Sequence, residues 1–402
     1  MVAEIEGLIT ANATARRPPL VVAVAAVVSG CMALYSVESW ITMNFAKAFT
    51  HYDVRMYYVA AEAGLRYGWS TIYDQAVLRA LSTTFPAGQR LIDNEITFAS
   101  PPLLAWLFVP LTAFSEPVAY ALWTVVSLGA LLFAWYIAAP YRGVTKVALL
   151  LLAIGMSPVF WSLYLGQPTL ILLGFLAGAC ALTARNRPVA AGAALAFATV
   201  LKPQVVIFVP IALLLSGHYR VVASWAAGCA LLGIASAVVL GPSGLTAWWN
   251  ATREIQSLTV NTKATLVYLF GSGPFTYAMW ALQGAITLLI AWRRKLELEI
   301  VFAVGLIGTA ATASYLHEQD YSTLVLAAWL VLRTSPPMWQ RWWFLAGILS
   351  MQLLDYTAAP QLIFDAAWLG ILLVASFGEA RAAEAIEGRG PQPAVSTRVS
   401  RS

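Results

Sequence analysis

Charged and metal-binding side chains are scarce in this chain. Asp, Glu, Lys and Arg make up 11% of the 402 residues, and there are three histidines and three cysteines. The cysteines, Cys31, Cys180 and Cys229, lie inside apolar runs, which favours buried thiols over a disulfide framework or a metal site. No cluster of Lys and Arg is interleaved with aromatic residues, so we expect no nucleic-acid partner.

The motifs of common soluble enzymes are also missing. The sequence has no glycine-rich phosphate-binding loop and no Ser-His-Asp arrangement. The stretch that contains His317 lacks the second histidine of a zinc protease. The sequence therefore predicts none of these enzyme classes, and it predicts no cofactor.

Long apolar runs dominate the rest of the chain. Hydrophobic residues make up 60% of the sequence, and the mean hydropathy is +0.73. A helix of about 20 apolar residues spans the hydrocarbon core of a bilayer and satisfies its own backbone polar groups there. We therefore predict an all-α fold, a polytopic membrane protein with about 12 transmembrane helices in the lipid bilayer.

The apolar runs divide the chain into one membrane domain and two polar ends. We predict a cytoplasmic N-terminus at 1–18 and a single transmembrane domain at 19–378. The tail at 379–402 is rich in Ala, Gly, Pro, Ser and Arg, a composition typical of disordered segments. We expect this tail to be cytoplasmic, and we expect a monomer.

Basic residues on alternating loops indicate the orientation of the spans. The positive-inside bias places these loops in the cytoplasm. They carry Arg220, Arg293, Arg294, Lys295, Arg333 and Arg341. The two large polar regions, 44–100 and 241–275, then form extracytoplasmic loops. Basic residues between 99 and 217 do not fit this alternation, so we expect a split or re-entrant segment there, or a failure of the bias.

The first extracytoplasmic loop has an unusual density of charge. Its segments Val54–Tyr67 and Tyr73–Leu81 are typical of amphipathic helices that lie at the membrane interface. Asp53 precedes the first of them, shortly after the first span, where it can reach a substrate whose tail lies in the bilayer. The alternative role is an N-cap for this helix, and a cap and a catalytic base are compatible.

Two other polar residues stand out from their surroundings. Lys202 lies beside Pro203 inside a long apolar run, where a lysine must pair, snorkel or face a polar cavity. We favour the cavity, and we expect the helix to break at Lys202-Pro203. His317 lies on a third predicted outer loop, between Leu316 and Glu318. It is a candidate substrate ligand, and the alternative is an ordinary histidine at the membrane interface.

Four motifs, in this order and spacing, resemble one family. They are Asp53-Val54-Arg55-Met56-Tyr57-Tyr58 with Ile72-Tyr73-Asp74, Phe98-Ala99-Ser100-Pro101-Pro102, Gly166-Gln167 followed by Lys202-Pro203, and His317-Glu318-Gln319-Asp320-Tyr321. The chain is similar to the GT-C membrane glycosyltransferases over about residues 45 to 325, in the branch that uses polyprenyl-phosphate-mannose. Ala99 stands where an aromatic residue is common. Within the branch, it most resembles actinobacterial enzymes that extend phosphatidylinositol mannosides.

The resemblance implies a reaction on the extracytoplasmic side of the cytoplasmic membrane. An inverting mannosyltransferase would move mannose from polyprenyl-phosphate-mannose to a mannosylated glycolipid, a phosphatidylinositol mannoside, through an α-1,2 linkage. Asp53 matches the aspartate that deprotonates the acceptor hydroxyl, and His317 matches a late-loop histidine that we expect to bind the donor phosphate. Metal-dependent GT-C branches have an acidic pair in the first loop. Here Tyr52 and Val54 flank Asp53, so we expect no metal.

Location on the outer side suggests further substrate ligands. For the donor phosphate these are Tyr57, Lys202, Arg253 and Lys263. For the acceptor they are Trp249, Asn250 and Glu254.

Two other functions remain open at this point. A transporter or flippase of a lipid-linked sugar would also need a polar cavity, but it would more often show two matching halves with broken helices, and we find no such repeat. A polysaccharide polymerase would share the topology, but its large outer loop is expected late in the chain.

Overall fold

The described part of the chain is helical. The computed structural model describes residues 19–45, 52–83 and 98–387, and these residues form α-helices and short 3-10 segments without a β-strand. The all-α fold class is therefore confirmed.

The α-helices are numbered here in chain order. The N-terminal ones are α1 (Leu20–Phe45), α2 (Tyr52–Tyr67), α3 (Gln75–Ser82), α4 (Pro102–Phe108), α5 (Glu116–Ala138) and α6 (Gly143–Ile154). The central ones are α7 (Ser157–Leu165), α8 (Thr169–Ala184), α9 (Pro188–Leu201), α10 (Phe208–Leu215) and α11 (Tyr219–Ser257). The C-terminal ones are α12 (Leu266–Phe270), α13 (Pro274–Arg293), α14 (Leu298–Thr312), α15 (Ser322–Arg333), α16 (Met338–Gln352) and α17 (Ala359–Glu387). Short 3-10 segments lie at Trp69–Thr71, Val109–Ala113, Pro203–Val205, Thr259–Thr262 and Glu318–Tyr321.

Several of these helices can cross a membrane. Within the described residues, five are long and apolar enough: Leu20–Asn44, Glu116–Ala138, Tyr219–Gln256, Pro274–Arg293 and Ala359–Phe377. The pair α6 and α7, bent by 58°, makes a sixth if it counts as one span. The chain is thus a multi-pass membrane protein. The total of about 12 spans stays a prediction.

Two interrupted helices occur in the region where the charges did not alternate. The break between α6 and α7 fits a split or re-entrant segment, the first of the two alternatives that the sequence leaves open between 99 and 217. The break at Lys202-Pro203 is also confirmed, because α9 ends at Leu201 and Lys202 is extended (φ −156°, ψ 79°). Proline disfavours helical geometry in the preceding residue, which explains the break.

Three sequence-based expectations need correction. The tail that we expect to be disordered from residue 379 begins as helix, because α17 continues to Glu387. The region 241–275 is not mainly a loop, because α11 continues to Ser257 across a kink at Gly241 (φ 64°) and α12 follows. An apolar run indicates a helix only where the surroundings of that helix are apolar. A helix that continues into a polar stretch of sequence is therefore easily taken for a loop. The helix predicted at Val54–Tyr67 exists as α2, but Val54, Val59 and Ala60 are fully buried in the protein. It is more enclosed than an amphipathic surface helix.

The buried side chains form two apolar clusters that meet near the break after α9. One cluster includes Val54 of α2, Leu201 and parts of α4 and α5. The larger cluster includes Val205, Leu316, Tyr321 and much of α8, α14 and α15. Lys202 lies between Leu201 and Val205, so the break brings a charged residue to the boundary of the two clusters.

A buried ion pair fixes α2 against α5. Arg55 Nε and Nη2 donate to the two carboxylate oxygens of Glu116, each at 3.0 Å, and the side chains are 0% and 2% exposed. A buried charge is costly unless it is paired with good geometry. This two-point contact therefore holds the first turn of α2, and with it Asp53, in a defined place.

Gly166 allows the turn after α7 to approach α2 closely. It ends α7 in the left-handed region (φ 72°), which favours glycine. A Cβ atom here would lie 2.0 Å from Val54 Cγ2. The Gly166 carbonyl also accepts a hydrogen bond from Trp123 Nε1 at 2.8 Å. Only glycine at position 166 therefore allows the turn that contains Gln167 to lie this close to α2.

Replacing Gly166 should therefore destabilise the protein. Gly166→Ala combines a strained backbone with a steric overlap, each worth roughly 1–3 kcal/mol. We expect a clear fall in the apparent Tm of the purified protein. Gly129→Ala is the matched control, because Gly129 is inside α5 and a Cβ there meets nothing within 4 Å. Equal melting of the two variants would contradict the role given to Gly166.

Candidate active site

The first turn of α2 presents Asp53 to the turn between α7 and α8. Gln167 Nε2 donates to Asp53 Oδ2 at 2.5 Å. No described residue donates to Asp53 Oδ1. Asp53 is partly exposed, whereas Gln167 is buried. The carboxylate is thus oriented by one amide and keeps one oxygen available.

Lys202 connects this carboxylate to a second one. Its Nζ donates to Gln167 Oε1 at 2.9 Å and also to Asp320 Oδ1. Lys202 is 8% exposed, and Asp320 is fully buried. An ammonium group has three N–H donors, and the described residues engage two of them. Lys202 is thus paired inside the protein and does not snorkel, whereas the polar cavity that we favoured stays a prediction.

Asp320 also organises the segment that carries His317. The backbone N–H of His317 donates to Asp320 Oδ2 at 3.1 Å, and the Asp320 N–H returns a bond to the His317 carbonyl at 3.0 Å. Thr169 Oγ1, at the start of α8, lies 3.4 Å from Asp320 Oδ1. One buried carboxylate therefore fixes Lys202 and the His317 backbone together.

The His317 ring has a defined tautomer. Asn261 Nδ2 donates to the Ile255 carbonyl at 2.6 Å, so Asn261 Oδ1 faces His317 Nε2 at 2.7 Å. An amide oxygen only accepts hydrogen bonds, so Nε2 carries the hydrogen. The other ring nitrogen, Nδ1, is buried, lies 4.0 Å from Asp320 Oδ2 and has no hydrogen-bond partner among the described residues.

Burial shifts the pKa of two ionisable residues of this cluster, Asp53 and His317. Burial raises the pKa of the Asp53 carboxyl to about 6, although the Gln167 hydrogen bond and the Lys202 charge oppose the shift. Burial also lowers the pKa of His317 to about 4, and the Asp320 charge opposes this shift. Near neutral pH, Asp53 is a carboxylate with raised basicity, and His317 is uncharged.

This arrangement places a proton acceptor close to a cation. A carboxylate with a pKa near the working pH is suited to general-base catalysis. An ammonium with a spare N–H donor can stabilise negative charge on a departing group. This stabilisation is strongest where water is excluded. The two functions are connected by the side chain of Gln167, which contacts both Asp53 and Lys202.

The structure brings three of the predicted site residues together: Asp53, Lys202 and His317. Tyr57 lies one turn after Asp53 on α2, and its ring meets Phe98 and Phe108 edge-on at 6.3 and 5.3 Å. Burial raises the pKa of its hydroxyl well above the ordinary value, and the Asp53 charge adds to the shift. Tyr57 therefore stays neutral beside the cluster.

The remaining predicted residues lie on the C-terminal part of α11 and just beyond it. Those on α11 after its kink, and Lys263 beyond it, are exposed: Trp249, Asn250, Arg253, Glu254 and Lys263. Arg253 stacks over the Trp249 ring at 4.9 Å. Within the described chain, no hydrogen bond or ring contact joins Arg253 or Lys263 to Asp53, Lys202 or His317. A predicted location on the outer side does not determine what a side chain contacts, and the substrate roles of these residues stay predictions.

Three residues of the cluster were not predicted as site residues: Gln167, Asp320 and Asn261. Gln167 and Asp320 stand within the family motifs of the sequence, but the motifs alone give neither of them a role. The available signal was the need of buried Lys202 for a carboxylate partner. Asn261 had no such signal, because its contact with His317 depends on how the segment after α11 folds back.

The family of the chain agrees with this geometry. The profile of glycosyltransferase family 87 matches residues 98–336, more than half of the chain. The chain belongs to glycosyltransferase family 87, a family of the GT-C type. No curated protein and no solved structure is significantly similar to the chain. The match includes Gln167, Lys202, His317 and Asp320, whereas Asp53 precedes it and is joined to it through Gln167.

Proposed function

We propose that this membrane glycosyltransferase moves mannose from polyprenyl-phosphate-mannose to a mannosylated glycolipid. The acceptor is a phosphatidylinositol mannoside, the new linkage is α-1,2, and the reaction takes place on the extracytoplasmic face of the cytoplasmic membrane. The family supports glycosyl transfer, and the sequence motifs around Asp53 and His317 support this donor and acceptor.

One observation carries the proposal. The carboxylate of Asp53 and the ammonium of Lys202 are held by the two ends of the same amide, at 2.5 and 2.9 Å. A base and a cation at this spacing suit a displacement in which a hydroxyl is deprotonated on one side of a carbon and a phosphate departs from the other. Fixed positions of this kind can remove much of the entropic barrier.

The chemistry needs one base and no general acid. Asp53 accepts the proton of the acceptor hydroxyl, and the oxygen forms a bond to the anomeric carbon of mannose. The bond between this carbon and the phosphate oxygen breaks, and its electron pair leaves with polyprenyl phosphate. One displacement converts the β-linked donor into an α-linked product. The phosphate is a sufficiently good leaving group to depart without a proton.

Lys202 and His317 are placed to bind the departing phosphate. Lys202 has the spare N–H donor, while its charge is already partly balanced by Asp320. His317 has only Nδ1 available, because Nε2 donates to Asn261. A neutral Nδ1 accepts hydrogen bonds, so His317 must take up a proton to donate to a phosphate oxygen. An anionic ligand beside the ring favours this protonation.

A catalytic role of Asp53 can be separated from a structural role in the first turn of α2. Asp53→Asn keeps the size of the side chain and removes its basicity, so turnover should fall about 100-fold or more. Wild-type turnover should also fall below about pH 6, where Asp53 becomes protonated. The measurement is transfer from radiolabelled polyprenyl-phosphate-mannose to a panel of glycolipid acceptors by purified protein.

Asp74→Asn is the matched control. Asp74 caps α3 by accepting from the N–H groups of Ala76 and Val77, and Asn caps helices equally well. Near-wild-type turnover is therefore expected. Full activity of Asp53→Asn would eliminate Asp53 as the base. A wild-type protein that transfers mannose to none of the acceptors would contradict the proposed function.

Phosphate binding by His317 predicts that donor affinity depends on pH. The pKa of about 4 in the free protein means that the ring is neutral at pH 7, so binding must take up a proton. Affinity should therefore rise as pH falls towards 4, by at most roughly tenfold per pH unit. Donor binding is measured in the Asp53→Asn background, which prevents turnover and removes the titration of Asp53.

His317→Gln provides the comparison in the same background. Gln can still donate to Asn261, but it has no charge to gain, so the pH dependence should flatten. A hydrogen bond to a charged group is worth roughly 1.5–3 kcal/mol, so affinity at low pH should fall about ten- to a hundred-fold. Identical pH profiles for the two proteins would move His317 to another role.

A further inference from the structure

We propose that Trp161 and Asp355 form a subsite for an uncharged sugar ring of the acceptor. The inference rests on the proposed function, because it assigns a place to the glycan of the glycolipid that receives mannose. It concerns α7 and the turn between α16 and α17, which none of the sequence motifs includes.

The Asp355 carboxylate is held firmly at one oxygen. Trp161 Nε1 donates to Asp355 Oδ1 at 2.6 Å, and Ser157 Oγ donates to the same oxygen at 2.9 Å. Asp355 itself is exposed, and within the described chain no group donates to Oδ2. The turn thus presents an oriented carboxylate oxygen at the protein surface.

Aromatic rings lie beside this carboxylate on α7. Phe160 and Tyr164 stack with an interplanar angle of 2° and a centroid distance of 6.0 Å. Trp161 meets Tyr164 edge-on at 5.6 Å. All three rings are half-buried, so each keeps some accessible surface. Few rotatable bonds make such rings a rigid binding platform.

The platform adjoins the catalytic cluster. Four residues after Trp161, α7 ends and leads directly into Gly166 and Gln167. Ser162, next to Trp161, donates from Oγ to the Gln319 carbonyl at 3.3 Å, within the segment that carries His317. Asp355 also lies close enough to Glu318 for its charge to raise the Glu318 pKa, after the larger effect of burial.

The chemistry of the platform selects a neutral, hydroxyl-rich ligand. A carboxylate oxygen accepts hydrogen bonds from sugar hydroxyls, and aromatic rings pack against the C–H face of a pyranose. The negative charge of Asp355 disfavours a phosphate beside it. The donor phosphate is assigned to Lys202 and His317. The charged donor phosphate and the neutral acceptor sugar therefore bind at places of different charge.

The test compares two conservative variants in the transfer assay. Asp355→Asn removes the charge that accepts from the sugar, and Trp161→Phe keeps a ring but removes the donor that orients Asp355. We expect the acceptor KM to rise about tenfold for Asp355→Asn, which corresponds to one lost charged hydrogen bond. The effect of Trp161→Phe should be smaller, and the donor KM should stay within about twofold.

One control variant and two further readouts, Tm and kcat, separate sugar binding from a purely structural role of Asp355. Trp339→Phe changes an exposed ring on α16 that lies outside the platform, and it should leave both KM values unchanged. If Asp355 only braces α7 against α16, its variant will lower the Tm and kcat without a selective change in acceptor KM. That result would overturn the inference while leaving mannosyl transfer intact.

A binding measurement keeps the test independent of turnover. Saturation-transfer NMR with methyl α-mannopyranoside should show contact with the wild-type protein and a weaker signal with Asp355→Asn. Inorganic phosphate should not compete with the sugar. Equal sugar signals for the two proteins would overturn the subsite even if the proposed function failed for another reason.

Discussion

The pairing of Lys202 with Asp320 is the interaction around which the site is built. Removing a lysine charge from water costs several kcal/mol, and only a carboxylate at short range with further hydrogen bonds offsets that cost. Asp320 meets this requirement, and it also binds the His317 backbone. The pair therefore joins the break after α9 to the 3-10 segment before α15, although these lie far apart in the sequence.

Gln167 extends this charged pair to the first turn of α2. Its amide has one donor end and one acceptor end, so it can contact Asp53 and Lys202 at once. The approach requires Gly166, and the ion pair of Arg55 with Glu116 holds α2 in place. The position of the Asp53 carboxylate therefore depends on contacts between helices, which combine apolar packing with buried ion pairs.

Local rules predicted much of the fold and part of the site. Apolar runs were sufficient for the fold class, and Pro203 was sufficient for the break at Lys202. Asp53 and His317 stood out as polar residues beside membrane spans, and the resemblance to the GT-C enzymes suggested their roles. Gln167 and Asn261 could not be found in this way, since their partners are distant in sequence. Arg253 and Lys263 show the converse, because a predicted place in an outer polar region does not bring side chains into contact with the site.

The most direct measurement is an experimental structure with a non-hydrolysable analogue of polyprenyl-phosphate-mannose. The phosphate should lie within hydrogen-bond distance, about 3 Å, of Lys202 Nζ and His317 Nδ1. The anomeric carbon should then face the free oxygen of Asp53. A phosphate held by Arg253 or Lys263 instead, with Asp53 remote from the sugar, would contradict a single site built on Asp53, Gln167, Lys202 and Asp320.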